Sequence, residues 1–399
     1  MIPGGRGMKP DTRLVHLGRD PGRFGGLVNV PACRTSTFLH GTVADFRAAA
    51  ADKHDRLYYG RFGTQTSRAL EAACAELDEA HGAVLFPSGL AAITRVLGSM
   101  LQPGDHLLAT DAVYGPVRQF CEHELARLGV ATSWYAPGTG AGVEALMRAN
   151  TRVVYCESPG SLTFELEDVR AIAAAARRRG VSTVIDNTWA TSLYFKPLSA
   201  GVDISIQSAS KYLVGHSDAM LGVAAANEAH FPALQRAAAH YGNAVGPDDC
   251  YLALRGLRTL GLRLGRHHAS ALRVARWLET RPEVERVLYP ALPSSPDHDL
   301  WRREFAGASG LLGVALRAAG DAAAARFVDG LELFGIGVSW GGFESLALPS
   351  HPVRSTPAGT PAGGALVRLH IGLEDPDDLI ADLARSMDRN LGAAAASAP

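Results

Sequence analysis

The sequence lacks several things that would have decided its class early. Its 399 residues include only five cysteines, Cys33, Cys74, Cys121, Cys156 and Cys250. They are scattered and show no Cys-x-x-Cys spacing. A disulfide framework and a zinc site are therefore not expected, and reduced thiols in a cytoplasm are. The formal net charge is -1, so there is no basic surplus to attract nucleic acid. No apolar run reaches the roughly 18 residues of a membrane span. The opening Met-Ile-Pro-Gly-Gly-Arg-Gly has no apolar h-region, so no secretory signal is expected.

What remains is an ordinary globular composition, 47% hydrophobic and 20% charged, in a chain long enough for two or three domains. Residues 1–63 are rich in Gly, Arg and Pro and show little periodicity. They read as an extended arm with a few helical turns, which needs another surface to order it. Residues 64–255 alternate apolar strands with helices: Ala83–Phe86, His106–Thr110, Ala131–Tyr135, Arg152–Cys156, Val181–Ile185 and Ile204–Ser208 as strands. Helices are expected at Leu90–Met100, Gly115–Leu128 and 168–179, the last capped by Asp168 and closed by Gly180. Continuous apolar strands joined by helices predict an α/β unit with a mostly parallel sheet buried on both faces. Residues 256–399 read as a smaller α+β domain. It has a long amphipathic helix through Leu272, Ala275, Trp277 and Leu278, then strands at Leu311–Leu316 and Leu366–Ile371. Pro352–Gly364 reads as a loop and 392–399 as a disordered tail.

Parallel α/β sheets place ligands at the carboxyl ends of their strands. Candidate residues fall at those places. Ser88 and Gly89 sit between a strand and a helix, where exposed amides bind phosphate. Tyr114 is expected to end a strand in Asp-Ala-Val-Tyr-Gly, where a ring can stack on a flat heterocycle. Asp186 follows Val-Ser-Thr-Val-Ile, where a carboxylate can pair with a cationic ring nitrogen. Ser208 and Ser210 offer hydroxyls, and Lys211 an amine, directly after a strand. Each residue alone also reads as ordinary: turn chemistry, a core tyrosine, a capping aspartate, a surface lysine. Their order along the chain is what is specific: phosphate loop, stacking ring, carboxylate, hydroxyls, lysine.

With that order the chain resembles the pyridoxal-phosphate enzymes of cysteine and methionine metabolism, over about residues 11 to 391. The strings that carry the resemblance are Tyr58-Tyr59-Gly60-Arg61, Leu85-Phe86-Pro87-Ser88-Gly89, Ile185-Asp186-Asn187-Thr188-Trp189, Ser205-Ile206-Gln207 and Lys211-Tyr212-Leu213-Val214-Gly215-His216-Ser217-Asp218. Arg255-Gly256-Leu257-Arg258-Thr259-Leu260-Gly261, Ser339-Trp340-Gly341-Gly342 and Arg368-Leu369-His370-Ile371-Gly372-Leu373-Glu374 extend it. The resemblance implies fold type I, with a seven-stranded-type sheet sandwiched by helices. It implies that Lys211 forms a Schiff base with pyridoxal 5'-phosphate and shuttles the proton. Asp186 would meet the pyridinium nitrogen and Tyr114 would stack on the ring. Ser88, Gly89, the Leu90 amide, Ser208 and Ser210 would hold the phosphate, joined by Tyr59 and Arg61 from a neighbouring subunit. Arg368 would clamp the substrate carboxylate, with Ser339, Trp340 and Tyr59 beside it. A homo-oligomer, at least a dimer and by resemblance a tetramer, is implied too.

The branch it most resembles breaks the Cβ–S bond of cystathionine, giving a thiol, pyruvate and ammonia. Trp340 points to that branch. At the position before Ser339 the β-lyases typically have tyrosine and the γ-acting enzymes glutamate; this chain has Val338. Phe343 stands where tyrosine is common, and Phe62 where arginine is. Action at Cγ, on another thioether, or as a lyase-like regulator are the alternatives. His216 and His370 read as structural, the His267-His268 pair as a solvated face or packing, and no metal is expected.

Overall fold

The computed structural model describes residues 8–317, 320–356 and 365–391. The expected tail at 392–399 and most of the loop ending at Gly364 lie outside the described residues. Eleven strands are present among the described residues, in two sheets. The first comprises β1 (Gly82–Phe86), β2 (His106–Thr110), β3 (Ala131–Tyr135), β4 (Thr151–Glu157), β5 (Ser182–Asp186), β6 (Ile204–Gln207) and β7 (Gly222–Ala226). Their order is β1-β7-β6-β5-β4-β2-β3. Pairings from β3 through β6 are parallel, while β7 runs antiparallel to both β6 and β1. The mostly parallel seven-stranded sheet is as expected. The antiparallel β7 was not anticipated: Gly-Val-Ala-Ala-Ala is poor in strand formers, and pairing on both sides overrides that propensity.

These strands are apolar along their length because helices cover both faces. β1, β2, β6 and β7 are buried at every position. The helix Val169–Arg178 follows the sequence reading: Asp168 accepts from the Ala171 amide at 3.1 Å, and Val169, Ile172, Ala173 and Ala176 are its buried stripe. Gly180 takes a positive φ of 65° just beyond it, where a β-carbon is costly. The helix expected from Gly115 is interrupted by a π turn at Phe120–Leu125. In the arm, short helices occupy Pro10–His16 and Val43–Ala51.

The second sheet has the order β10-β11-β9-β8, all antiparallel: β8 (Val284–Leu288), β9 (Leu311–Leu316), β10 (Leu346–Ser350) and β11 (Leu366–His370). The sequence indicated only the two central strands. Both edge strands were missed. β8 alternates with charge, and β10 contains Pro349, which an edge tolerates because one side needs no ladder donor. The long helix Leu260–Leu278 lies against this sheet.

The two sheets share one apolar core. Ile185, Trp189, Val314, Leu369 and Ile371 belong to a single cluster, and the Trp189 indole donates to Leu311 O at 3.0 Å. A polar strap adds to this. Asp111, one residue past β2, accepts from the amides of Ser355 (2.9 Å) and Thr356 (2.6 Å) and is ion-paired with buried Arg118. Among the described residues no helix is long and apolar enough to cross a membrane.

Burial alone would raise the Asp111 carboxyl. The hydrogen bonds from Thr356 and Ser355 and the Arg118 guanidinium outweigh it, so its value lies below the usual one. A depressed folded value means the contribution is complete above the unfolded value of about 3.9 and is lost as pH falls through the folded one. Asp111→Ala strands a buried arginine and two amides, and should cost about 3–5 kcal/mol in denaturant unfolding at pH 7. The cost should shrink once the pH falls below that of an ordinary aspartate. An unchanged midpoint at pH 7 would show that the strap carries no stability.

Candidate active site

The carboxyl ends of β4, β5 and β6 open on one side of the large sheet, and the chemistry-bearing residues gather there. Asp186 is the last residue of β5. Its Oδ1 accepts from the Thr188 amide at 2.9 Å and from the Thr188 hydroxyl. Thr188 Oγ1 in turn accepts from the Ser208 amide at 2.8 Å, which ties the end of β5 to the turn after β6. Burial pushes the Asp186 carboxyl up, while Thr188 and Lys211 pull it back.

Lys211 follows that turn. Its Nζ donates to Ser339 Oγ at 2.6 Å and lies 5.3 Å from the centre of the Trp340 ring. Burial first, and the positive Arg368 second, lower its value to about 8, against the pull of Asp186. An amine held there is partly unprotonated near neutrality, as a base or nucleophile requires. Arg368 comes from β11 of the second sheet and donates to Ser339 O at 3.2 Å. Gly341 is what lets the two lobes meet: with φ 87°, a β-carbon placed on it would lie 3.0 Å from Lys211 Cα.

Ser88 caps the helix Gly89–Met100, its Oγ accepting from the Ala91 amide at 3.1 Å. The Gly89 and Leu90 amides are the first two of that helix, where no intrahelical acceptor exists. A β-carbon on Gly89 would lie 2.6 Å from Ser208 Cβ, so only glycine lets the helix start approach the turn before Lys211. The result is a cradle of amides and the Ser208 hydroxyl. Ser210 faces a different demand. Its hydroxyl donates to Leu221 O at 3.1 Å and accepts from Leu221 N at 2.8 Å, so holding an anion requires its proton to turn away from Leu221.

Tyr114 does not end β2. It stands four residues beyond, just before the helix Gly115–Gln119, and is 42% exposed. Its amide donates to Glu157 Oε2 at 2.7 Å. Glu157 is the last residue of β4, opposite Asp186 in the ladder. Burial, then the neighbouring Asp186, push its carboxyl well above the usual range. Burial pushes both neighbouring carboxyls up, Glu157 the further, while Thr188 and Lys211 favour the ionised form of Asp186. Sequence reasoning missed both Glu157 and Thr188. The rule that found Asp186, a carboxylate closing a strand, applies equally to Glu157.

Tyr59 and Arg61 do not join this constellation within one chain. Tyr59 is 43% exposed, and Arg61 lies over the Phe62 ring at 4.4 Å and donates to Ala239 O at 2.7 Å. Val338 is 83% exposed beside Ser339. Among the histidines, His267 is fully buried rather than solvated and donates to Ile371 O at 2.8 Å. His268 packs edge-on against Trp301 at 6.0 Å. His216 donates to Val214 O at 2.7 Å.

Known proteins share this arrangement along almost the whole chain. A putative cystathionine beta-lyase of Rhizobium johnstonii is 49% identical, covering 97% of this chain and 96% of that protein. The cystathionine beta-lyase MetC of Escherichia coli is 45% identical over 94% of this chain and 97% of its own length. The crystal structure of metB from Corynebacterium glutamicum superposes with a TM-score of 0.88 at 30% identity, covering 96% of this chain and 98% of that one. The family model of Cys/Met metabolism PLP-dependent enzymes matches residues 11–388. With its lysine, carboxylate and amide cradle converging at one sheet edge, the chain belongs to the Cys/Met metabolism PLP-dependent enzymes.

Proposed function

We propose that the chain is a carbon–sulfur β-lyase that converts cystathionine and water to homocysteine, pyruvate and ammonia, with Lys211 as the group that moves the proton. The observation that carries this reading is the Lys211 amine, lowered to about 8 between Asp186, Arg368 and Ser339. The names of the two relatives support the substrate.

The residues fit pyridoxal phosphate. The amides of Gly89 and Leu90 and the Ser208 hydroxyl suit a phosphate, and Gly89, by carrying no β-carbon, lets the helix start sit against Ser208 so that these donors share one cradle. Asp186 suits a cationic ring nitrogen, and Tyr114 a flat ring. When bound, the cofactor supplies an electron sink for negative charge that develops at the substrate Cα. Lys211, its amine lowered to about 8, would be placed to take the Cα proton. Arg368 pairs with the substrate carboxylate through its planar fork and fixes Cα over the lysine. Ser339 accepts a hydrogen bond from Lys211 Nζ and keeps the amine directed into the pocket. The Cβ–S bond then breaks with its electron pair on sulfur. Asp186 is held in place by two hydrogen bonds from Thr188, which favour its ionised form against the burial that pushes it up.

Tyr59 and Arg61 complete the phosphate site of a second copy in this reading. Their exposure and their place on the arm, away from the chain's own lysine, support a dimer with shared sites. Val338 presents neither phenol nor carboxylate to the distal half of the substrate, which favours breadth toward thioethers at that end.

Lys211→Ala should lose the visible absorbance of the bound cofactor and at least about a thousandfold in rate; persistence of the band would refute the assignment. Arg368→Ala should keep the band and lower kcat/KM roughly tenfold to a hundredfold, mostly through KM. Product analysis tests the reaction itself. Pyruvate with homocysteine from cystathionine is expected, whereas 2-oxobutyrate with cysteine would mean cleavage at Cγ. For the shared site, Arg61→Ala and Lys211→Ala subunits, each inactive alone, should regain activity when refolded together. Hybrids that remain inactive would place Arg61 in its own chain's site.

A further inference from the structure

The sequence reading left His370 as structural, and the proposed chemistry does not use it. Its two ring nitrogens nevertheless each hold a different point of the loop that forms the substrate wall. His370 Nε2 accepts from the Gly341 amide at 3.0 Å. His370 Nδ1 lies 3.0 Å from Glu344 O, and a carbonyl can only accept, so Nδ1 bears the proton. One partner demands a lone pair and the other a donor, which fixes a neutral imidazole in a single tautomer. Burial, with His267, Arg368 and Lys211 nearby, favours that neutral form. The ring plane is held in turn by His267 at 5.2 Å and Tyr212 at 6.0 Å.

We propose that His370 is the positioning residue of the substrate wall: it clamps the Ser339–Glu344 loop by one backbone donor and one backbone acceptor, and so sets Ser339 and Trp340 against Lys211 and Arg368. Arg368 and His370 are two apart on β11, so they project to the same face of the sheet. The strand that supplies the carboxylate clamp therefore also supplies the loop's anchor. The loop has little freedom on its other side, since Gly341 already lies against the Lys211 backbone. Ser339 uses its hydroxyl to accept from Lys211 Nζ and its carbonyl to accept from Arg368. Trp340 stacks toward Tyr212 at 5.5 Å. A loop released from His370 would move all of these together, and a displacement of about 1 Å can cost about a hundredfold in rate.

The assignment rests on the reading that Ser339 and Trp340 face the substrate, and its test separates the two. His370→Leu removes both links. His370→Gln places an amide oxygen where Nε2 stood and keeps the Gly341 link. His370→Asn keeps only a donor toward Glu344. In the cofactor-loaded enzymes, hydrogen exchange of the 339–345 backbone is measured by mass spectrometry without substrate, beside kcat and KM on whichever thioether the parent consumes. Exchange in that segment should rise at least about tenfold in the Leu and Asn variants, and kcat should fall about a hundredfold with cofactor absorbance unchanged. The Gln variant should recover both to within about tenfold of the parent. A Gln variant no better than Asn, or a fall in kcat with the exchange of 339–345 unchanged, overturns the proposal. Should His370→Leu fail to fold, the Gln and Asn pair decides. A parent enzyme inactive on cystathionine, with the Gln–Asn difference in exchange intact, refutes the substrate reading and upholds the clamp.

Discussion

The approach of the Ser339–Gly341 loop to the backbone of Lys211 is the contact on which the site depends. It brings the loop before β10 onto the turn after β6, and it is possible because Gly341 carries no side chain. Its consequence is desolvation. With the loop in place the Lys211 amine is partly desolvated beside Trp340 and lies near the Arg368 guanidinium, and both effects favour the neutral base. The lysine alone, at the end of a parallel-sheet turn, would be an exposed cation. The second lobe turns it into a reagent.

A second layer keeps the charges where they are needed. Asp186 and Glu157 close adjacent strands, and two buried carboxylates side by side cannot both be anions without cost. The structure separates them by chemistry. Asp186 receives two hydrogen bonds from Thr188, which favour its ionised form, while Glu157 accepts one from the Tyr114 amide and is pushed up by burial and by Asp186. Thr188 also accepts from the Ser208 amide, so the carboxylate end of the site and the cradle around Gly89 are set by the same side chain.

The arm behaves differently from the rest. Its helices are short, and Tyr59 and Arg61 lie away from the chain's own lysine. Exposed Leu39 and Phe46 on the same arm fit a segment that is completed by another surface. In the proposed dimer that surface is a second copy, whose cradle Tyr59 and Arg61 would complete.

Much was legible in the sequence because it is local. The parallel strands announced themselves as continuous apolar runs, the Asp168 cap and Gly180 stop bounded their helix, and Ser88-Gly89, Asp186 and Lys211 fell at strand ends in a readable order. What was not legible is non-local. β7 forms because two neighbours pair with it, not because Gly-Val-Ala-Ala-Ala prefers extension, and β8 and β10 are short edge strands, one interrupted by charge and the other by Pro349. Glu157 acquires a role only from lying opposite Asp186, and His370 only from the loop that folds over it. The sequence by itself determined which residues could carry the chemistry, since residue type and turn position are properties of short segments. Only the tertiary structure decided that Arg368 and Ser339 face Lys211, because that meeting depends on the shared core of two sheets and on burial that no short segment creates.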